Sequence, residues 1–230
     1  MPDYLPLCVF RQGLLPPDCR RCAWWQTSTG RPDPDAAVQV RGRWLPSVEE
    51  QWGAAGILLY EESQRLAASR STSLPAGSMA TRGSVHFAPL GSLPRFRTLG
   101  FGDLADEAGF LFCLRYEGDG AYRGPKRLVL RALAELRKRG VHEVYAVAEP
   151  SQDSSSPRDC RFFSPSLLAA CGFEHVGSSG TLYLMRADIR GLIHIAEQLR
   201  SLLKRLVHNH PTPSPAAWSR PRTTERPRWP

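Results

Sequence analysis

The sequence has no apolar stretch long enough to span a bilayer. Its start, MPDYLPLCVFRQGLLPPDCRRC, lacks the basic opening, continuous apolar core and small-residue cleavage site of a secretory signal. Cysteine is too sparse for a secreted disulfide scaffold: there are six in 230 residues, and Cys113 and Cys171 fall inside apolar patterns that read as core. Together these absences predict a reducing cytoplasm. Acidic side chains are the minority charge, 22 against 30 lysines and arginines, and the resulting net charge of +8 suits acidic partners. Nucleic acid is not the expected one, because basic residues interleave with aromatics only in the tail, around Trp218 and Trp229. Internal repeats are also missing. Glycine is short where it would matter most: the loop YRGPKR at 122–127 contains one glycine and spends a position on proline, which has no N–H to offer an anion.

What is present alternates between strand and helix patterns. GILLYEE (56–62), SVHFAPL (84–90), GFLFCLRYE (109–117) and VHEVYAVAE (141–149) are strand patterns, followed by EHVGSS and TLYLMRA. PKRLVLRALAELRKR is a helix pattern with Leu128, Ala132, Leu133 and Leu136 on one face and Arg131, Glu135, Arg137 and Lys138 on the other, Pro125 in its first turn and Gly140 at its C-terminal cap. PSLLAACGF (165–173) is a second, short helix. SVEEQWGA predicts a helix capped by Ser47, with Glu50 completing a capping box. This order argues for an α/β sheet whose crossover from 109–117 to 141–149 is parallel and right-handed, with antiparallel strands added by 174–187. Residues 1–35 read as an irregular N-terminal segment, 36–187 as the main domain, 188–207 as an amphipathic helix capped by Asp188, and 208–230 as a disordered tail rich in proline and arginine. The stripe of Leu192, Ile195, Leu199, Leu202 and Leu206 reads as core or a homodimer face, with membrane contact through Arg200, Lys204 and Arg205 a further reading.

The loop at 122–127 sits between a strand and a helix, where free backbone N–H groups and a partial positive charge gather. Gly124 allows close backbone approach, and Arg123, Lys126 and Arg127 supply three side-chain cations suited to phosphate oxygens. The same residues also make an ordinary capped helix after a β-strand.

The run from FLFCLRYE through AYRGPKRLVLRAL to VHEVYAVAE resembles the central strand–loop–helix–strand of the GNAT superfamily of N-acetyltransferases, and AACGF resembles the Gly-Phe close of their last helix. CRRCAWWQ is similar to an N-terminal Cys-x-x-Cys plus aromatic pair found in a bacterial branch of that superfamily. The resemblance covers roughly residues 15–187. It implies a GNAT-like mixed, mainly antiparallel sheet with a central parallel strand pair and flanking helices, and transfer of an acetyl group from acetyl-CoA to an amine whose identity is open. It further implies that backbone groups of Leu114, Arg115 and Tyr116 line the pantetheine arm, and that Arg123 and the amides of Gly124, Lys126 and Arg127 face the CoA pyrophosphate. Three positions depart from the family pattern. Ala121 and Lys126 stand where the phosphate loop usually has Gln/Arg and Gly/Ala, and Leu168 stands where a tyrosine usually serves as the acid.

Acetyl transfer needs a base for the incoming amine and an acid for the leaving thiolate. Glu117 and Glu149, at the ends of neighbouring parallel strands, are base candidates together with Glu61 and Glu62; Tyr116, Tyr122, Tyr145 and Tyr183 are candidate acids. Each carboxylate reads first as a solvated surface group, and His142 and His175 read as structural. A catalytically degenerate GNAT-like binding protein is the alternative function. Cys19 and Cys22 have three open readings: a reduced pair packed with Trp24 and Trp25, half of a zinc site completed by Cys8, Cys160 or the His208/His210 pair, or a redox pair. No metal site is complete in the sequence.

Overall fold

The computed structural model describes residues 3–30, 32–60, 81–118, 123–151 and 160–191. Residues 1–190 form one compact unit; of the second, 191–230, only Gly191 is described. The expected C-terminal helix and tail, Glu61, Glu62 and Tyr122 therefore lie outside the described residues.

Seven strands form one sheet in the order β1-β2-β3-β4-β5-β7-β6: β1 Asp3–Pro6, β2 Gly56–Tyr60, β3 Gly83–Pro89, β4 Gly109–Tyr116, β5 Glu143–Ala148, β6 Glu174–Ser179 and β7 Leu182–Asp188. All neighbours are antiparallel except β4 and β5, which run parallel, as the helical crossover between them requires. The helices are α1 Pro17–Arg20, α2 Pro34–Trp52, α3 Pro94–Arg97, α4 Arg123–Lys138 and α5 Pro165–Ala169. The sheet is thus mixed, mainly antiparallel, with a central parallel pair and flanking helices.

One face of the sheet packs on α4 and α5 through Leu128, Val129, Leu133, Leu136 and Leu168. The other packs on α2 and the N-terminal segment through Trp25, Trp44, Leu45, Phe110 and Phe112. Gly140 ends α4 in the left-handed region (φ 78°) with its N–H on the Arg137 carbonyl, the cap expected from sequence.

Two expectations change. The helix expected from Ser47 begins thirteen residues earlier, at Pro34, where the Asp33 carboxylate accepts N–H bonds from Asp35 (3.0 Å) and Ala36 (2.9 Å). Ser47 is consequently an interior residue, and Pro46 is carried inside the helix. The N-terminal segment, expected to be irregular, contributes edge strand β1 and α1. Asp188 ends β7, and its carboxylate accepts the N–H of Arg190 (3.0 Å), a bond of the kind a helix cap makes; the helix expected after it lies outside the described residues.

Candidate functional site

β4 is paired with β3 along most of its length, but with β5 only over Gly109–Leu111, opposite Val144–Ala146. Beyond Leu111 the parallel strands part. The β5 side of the gap is taken by Phe163, whose carbonyl accepts the Glu149 N–H (2.9 Å) and whose N–H donates to Val147 (3.1 Å). Among the described residues, no strand pairs that edge of β4 from Phe112 to Tyr116.

The parting coincides with a bulge. The β3–β4 register slips between Ser84/Arg115 and His86/Phe112, and Cys113 has φ 52°, the one left-handed non-glycine residue described. Strand alternation breaks there: Phe110, Phe112 and Cys113 face the Trp25 side, whereas Leu111, Leu114 and Tyr116 face α4.

At the end of β4 the Tyr116 ring lies against Gly124. A Cβ on Gly124 would stand 2.1 Å from Tyr116 Cζ and 2.6 Å from its hydroxyl, and one on Gly118 would stand 2.9 Å from that hydroxyl. Gly124 is buried, so its missing side chain makes room for the phenol. α4 starts at Arg123, two residues before the expected start, which moves the free N–H groups to Arg123 and Gly124 and draws that of Arg127 into the helical ladder. Arg127 is left with an exposed side chain, as is Arg123, while Lys126 is half-buried.

The other candidates separate. Leu114 is buried, leaving only its backbone for a ligand. Glu117 is exposed and accepts Nε and Nη2 of Arg115 (3.0 and 2.8 Å), so a cation already holds it. Glu149 is half-buried at the end of β5. Tyr145 donates to Glu143 Oε2 (3.2 Å), Tyr183 packs on His175 (4.9 Å), and Leu168 is fully buried.

All six cysteines are free thiols. Cys19 sits in α1 and packs with Leu7, Leu15 and Leu58. Burial first, then the neighbouring Cys160, pushes its thiol up to about 11, the opposite of redox activation. Among the described residues no group of three or more His, Cys, Asp or Glu stands ready to hold a metal ion.

Two buried polar residues escaped the sequence reading. His86 on β3 is 2% exposed, and Arg41 on α2 is 3% exposed. Both nitrogens of His86 lack partners, and burial, reinforced by Arg41, holds its imidazole well below its usual range. The unfolded chain then takes up a proton below about pH 6.5 that the folded chain refuses, so stability is complete above that pH and falls as pH drops. We expect the unfolding free energy of the wild type, from chemical denaturation, to decline between pH 6.5 and 5.5, by up to about 1.4 kcal/mol per pH unit. His86→Leu should flatten that part of the profile; superimposable profiles would refute the assignment.

No family model matches the chain, and no curated protein matches it. Similar solved structures include the PaiA N-acetyltransferase of Thermoplasma acidophilum in complex with coenzyme A, 13% identical with a TM-score of 0.45, spanning 82% of this chain and 99% of that one. The yncA structure from Salmonella typhimurium with its cofactor acetyl-CoA is 12% identical with a TM-score of 0.47, over 82% and 94% of the two chains. A GNAT-family acetyltransferase of Staphylococcus aureus Mu50 is 8% identical with a TM-score of 0.44, over 83% and 100%. Likeness at this level assigns no residue a role. Among the described residues, no helix is long and apolar enough to cross a membrane.

Proposed function

We propose that the chain is an acetyl-CoA-dependent N-acetyltransferase acting on an amine. The observation that carries this reading is the unpaired edge of β4 from Phe112 to Tyr116, opened by the parting from β5 and followed in the chain by the start of α4. An extended amide-containing arm can add to such an edge like another strand, with backbone groups of Leu114, Arg115 and Tyr116 as partners. The N–H groups of Arg123 and Gly124, with the side chains of Arg123, Lys126 and Arg127, would then meet the diphosphate. Acetyl-CoA supplies the activated acyl group.

The protein's own part is to bind, orient and move protons. On this path the Tyr116 hydroxyl, held between Gly118 and Gly124, would meet the diphosphate end of the cofactor rather than the leaving thiolate. Glu149, just past the end of β5, and Glu117, which Arg115 engages, are the two candidate bases. A second reading, a non-catalytic CoA-binding module, draws support from fully buried Leu168 at the position where the resembled family has its acid.

Calorimetric titration with acetyl-CoA tests both. We expect binding that weakens roughly ten- to a hundredfold in Lys126→Glu/Arg127→Glu, the loss of one or two charge-assisted contacts. Thiol release with an amine panel should follow. Binding without release for any amine favours the second reading, and no binding at millimolar acetyl-CoA overturns both.

A further inference from the structure

The buried stripe of α2 reads Ala37, Arg41, Trp44, Leu45 and Val48, the spacing of a helix face turned to the core. A cation occupies the second position of that stripe. The Arg41 guanidinium lies 5.9 Å from the Trp44 ring centroid, and neither its Nε nor its Nη2 has a hydrogen-bond partner. These two atoms share one edge of the guanidinium plane, the edge that grips a carboxylate with two parallel N–H···O bonds. Around it, His86 has both nitrogens unpaired and Trp25 its Nε1; the rings of His86, Trp25 and Trp44 all lie within 6.0 Å of Phe112.

Among the described residues, no carboxylate supplies the counter-charge. The ionisable groups that act favourably on Arg41 are the thiols of Cys113, Cys19 and Cys22; a hydrogen bond with Cys160, then burial, raises the pKa of Cys113, and burial raises that of Cys19, so both stay protonated. Burial also lowers the guanidinium's own pKa, but arginine stays charged in proteins. A buried, uncompensated cation is a costly feature in a folded chain, whereas an apolar residue of similar volume at the same place is often neutral or stabilising. The position is also informative. Cys113 forms the β4 bulge next to the open edge at Leu114–Tyr116, and it faces the same side of the sheet as Arg41 and Trp44.

We propose that Arg41 recognises a carboxylate on the acceptor, so that the substrate class is a small amine that also bears a carboxyl group. This rests on the acetyltransferase reading. The acceptor carboxylate docks on the Nε/Nη2 edge while its amine faces the bulge. The amine nitrogen attacks the thioester carbonyl and the carbon–sulfur bond breaks. The sulfur leaves with a proton, the amine's second proton stays on the new amide, and the carboxylate is unchanged.

The test pairs stability with specificity. In ligand-free protein, Arg41→Met removes an unmatched charge and should raise the thermal midpoint by a few degrees. Glycine, β-alanine and 4-aminobutyrate, each compared with its own amide at matched ionic strength, read out the substrate class. In the wild type at least one acid should exceed its amide tenfold or more in kcat/KM for thiol release, and should raise the thermal midpoint where the amide does not. Both preferences should vanish in Arg41→Met and fall sharply in Arg41→Lys, which keeps the charge but loses the fork. A lowered midpoint in ligand-free Arg41→Met, or acids and amides that behave alike while acetyl-CoA still binds, overturns the proposal and leaves the acetyltransferase reading intact. If acetyl-CoA does not bind, that reading falls, and the thermal shifts of the acids against their amides decide the role of Arg41 alone.

Discussion

Gly124→Ala should unfold this protein far more readily than an alanine at the start of a helix normally would. Alanine is the better helix former, so propensity alone predicts a gain approaching 1 kcal/mol. The added Cβ, however, would lie 2.1 and 2.2 Å from two Tyr116 ring carbons, well inside contact distance. The phenol cannot swing freely, because Gly118 lies against its hydroxyl end and the residue packs against the core under α4. Either the ring leaves its place or the start of α4 shifts, and we expect a loss of about 2–4 kcal/mol in denaturant titration, within the range for overpacking and core disruption. Tyr116→Ala removes the obstacle, so the double variant should recover much of that loss, with a coupling energy above about 1 kcal/mol in the cycle. Additive single effects would show that the ring and the glycine do not determine one another. A practical consequence follows for the proposed cofactor site. A bulky residue at Gly124 disturbs Tyr116 before it meets any phosphate, so a binding defect there is ambiguous. Charge reversal at Lys126 and Arg127 leaves the packed pair alone.

This pair also shows where the sequence stops speaking. A lone glycine between strand and helix suggested room for an anion, and the helix does start there. The partner that needs the glycine lies eight residues back at the end of β4, and nothing local in YRGPKR reveals it. By contrast α4 and β5 were legible because their apolar periods are unbroken, and the parallel pairing followed from the helix between them. The first part of α2 was missed for a physical reason: its core stripe contains Arg41 and its interior contains Pro46, both of which interrupt the pattern on which detection rests. The start signal was nevertheless present in Asp33-Pro34, a cap followed by a first-turn proline. The bulge at Cys113 was hidden for a different reason. FLFC is apolar on both faces, so a break in alternation leaves no trace in the composition of the strand.

The same blindness applies to the N-terminal aromatic knot, and it leads to the second large effect, Trp25→Ala. Trp25 is 1% exposed and packs against rings from three separate segments: Trp24 at 4.8 Å, Phe110 and Phe112 of β4 at 5.0 and 5.9 Å, and Phe162 at 6.1 Å. Its carbonyl accepts the Arg95 N–H (3.3 Å), while the Arg95 side chain donates to the carbonyls of Trp24 and Gly30 and stacks on Trp24 at 4.6 Å. One indole therefore joins the Cys-x-x-Cys segment, the bulged strand and the stretch before α5. Truncation should cost about 3–5 kcal/mol, the range for large aromatics lost from a packed core. At this chain size that lowers the thermal midpoint by roughly 10 °C. Phe10→Ala, at a ring that is 94% exposed, should stay within about 0.5 kcal/mol of wild type and serves as the control for aromatic removal as such. If Trp25 is the fastener, alkylation of Cys19 and Cys22 in Trp25→Ala should speed up at temperatures where the sheet is still folded. A loss below about 1 kcal/mol, with thiol protection unchanged, would instead mean that Arg95 and the hydrogen bonds around it hold this segment without the indole.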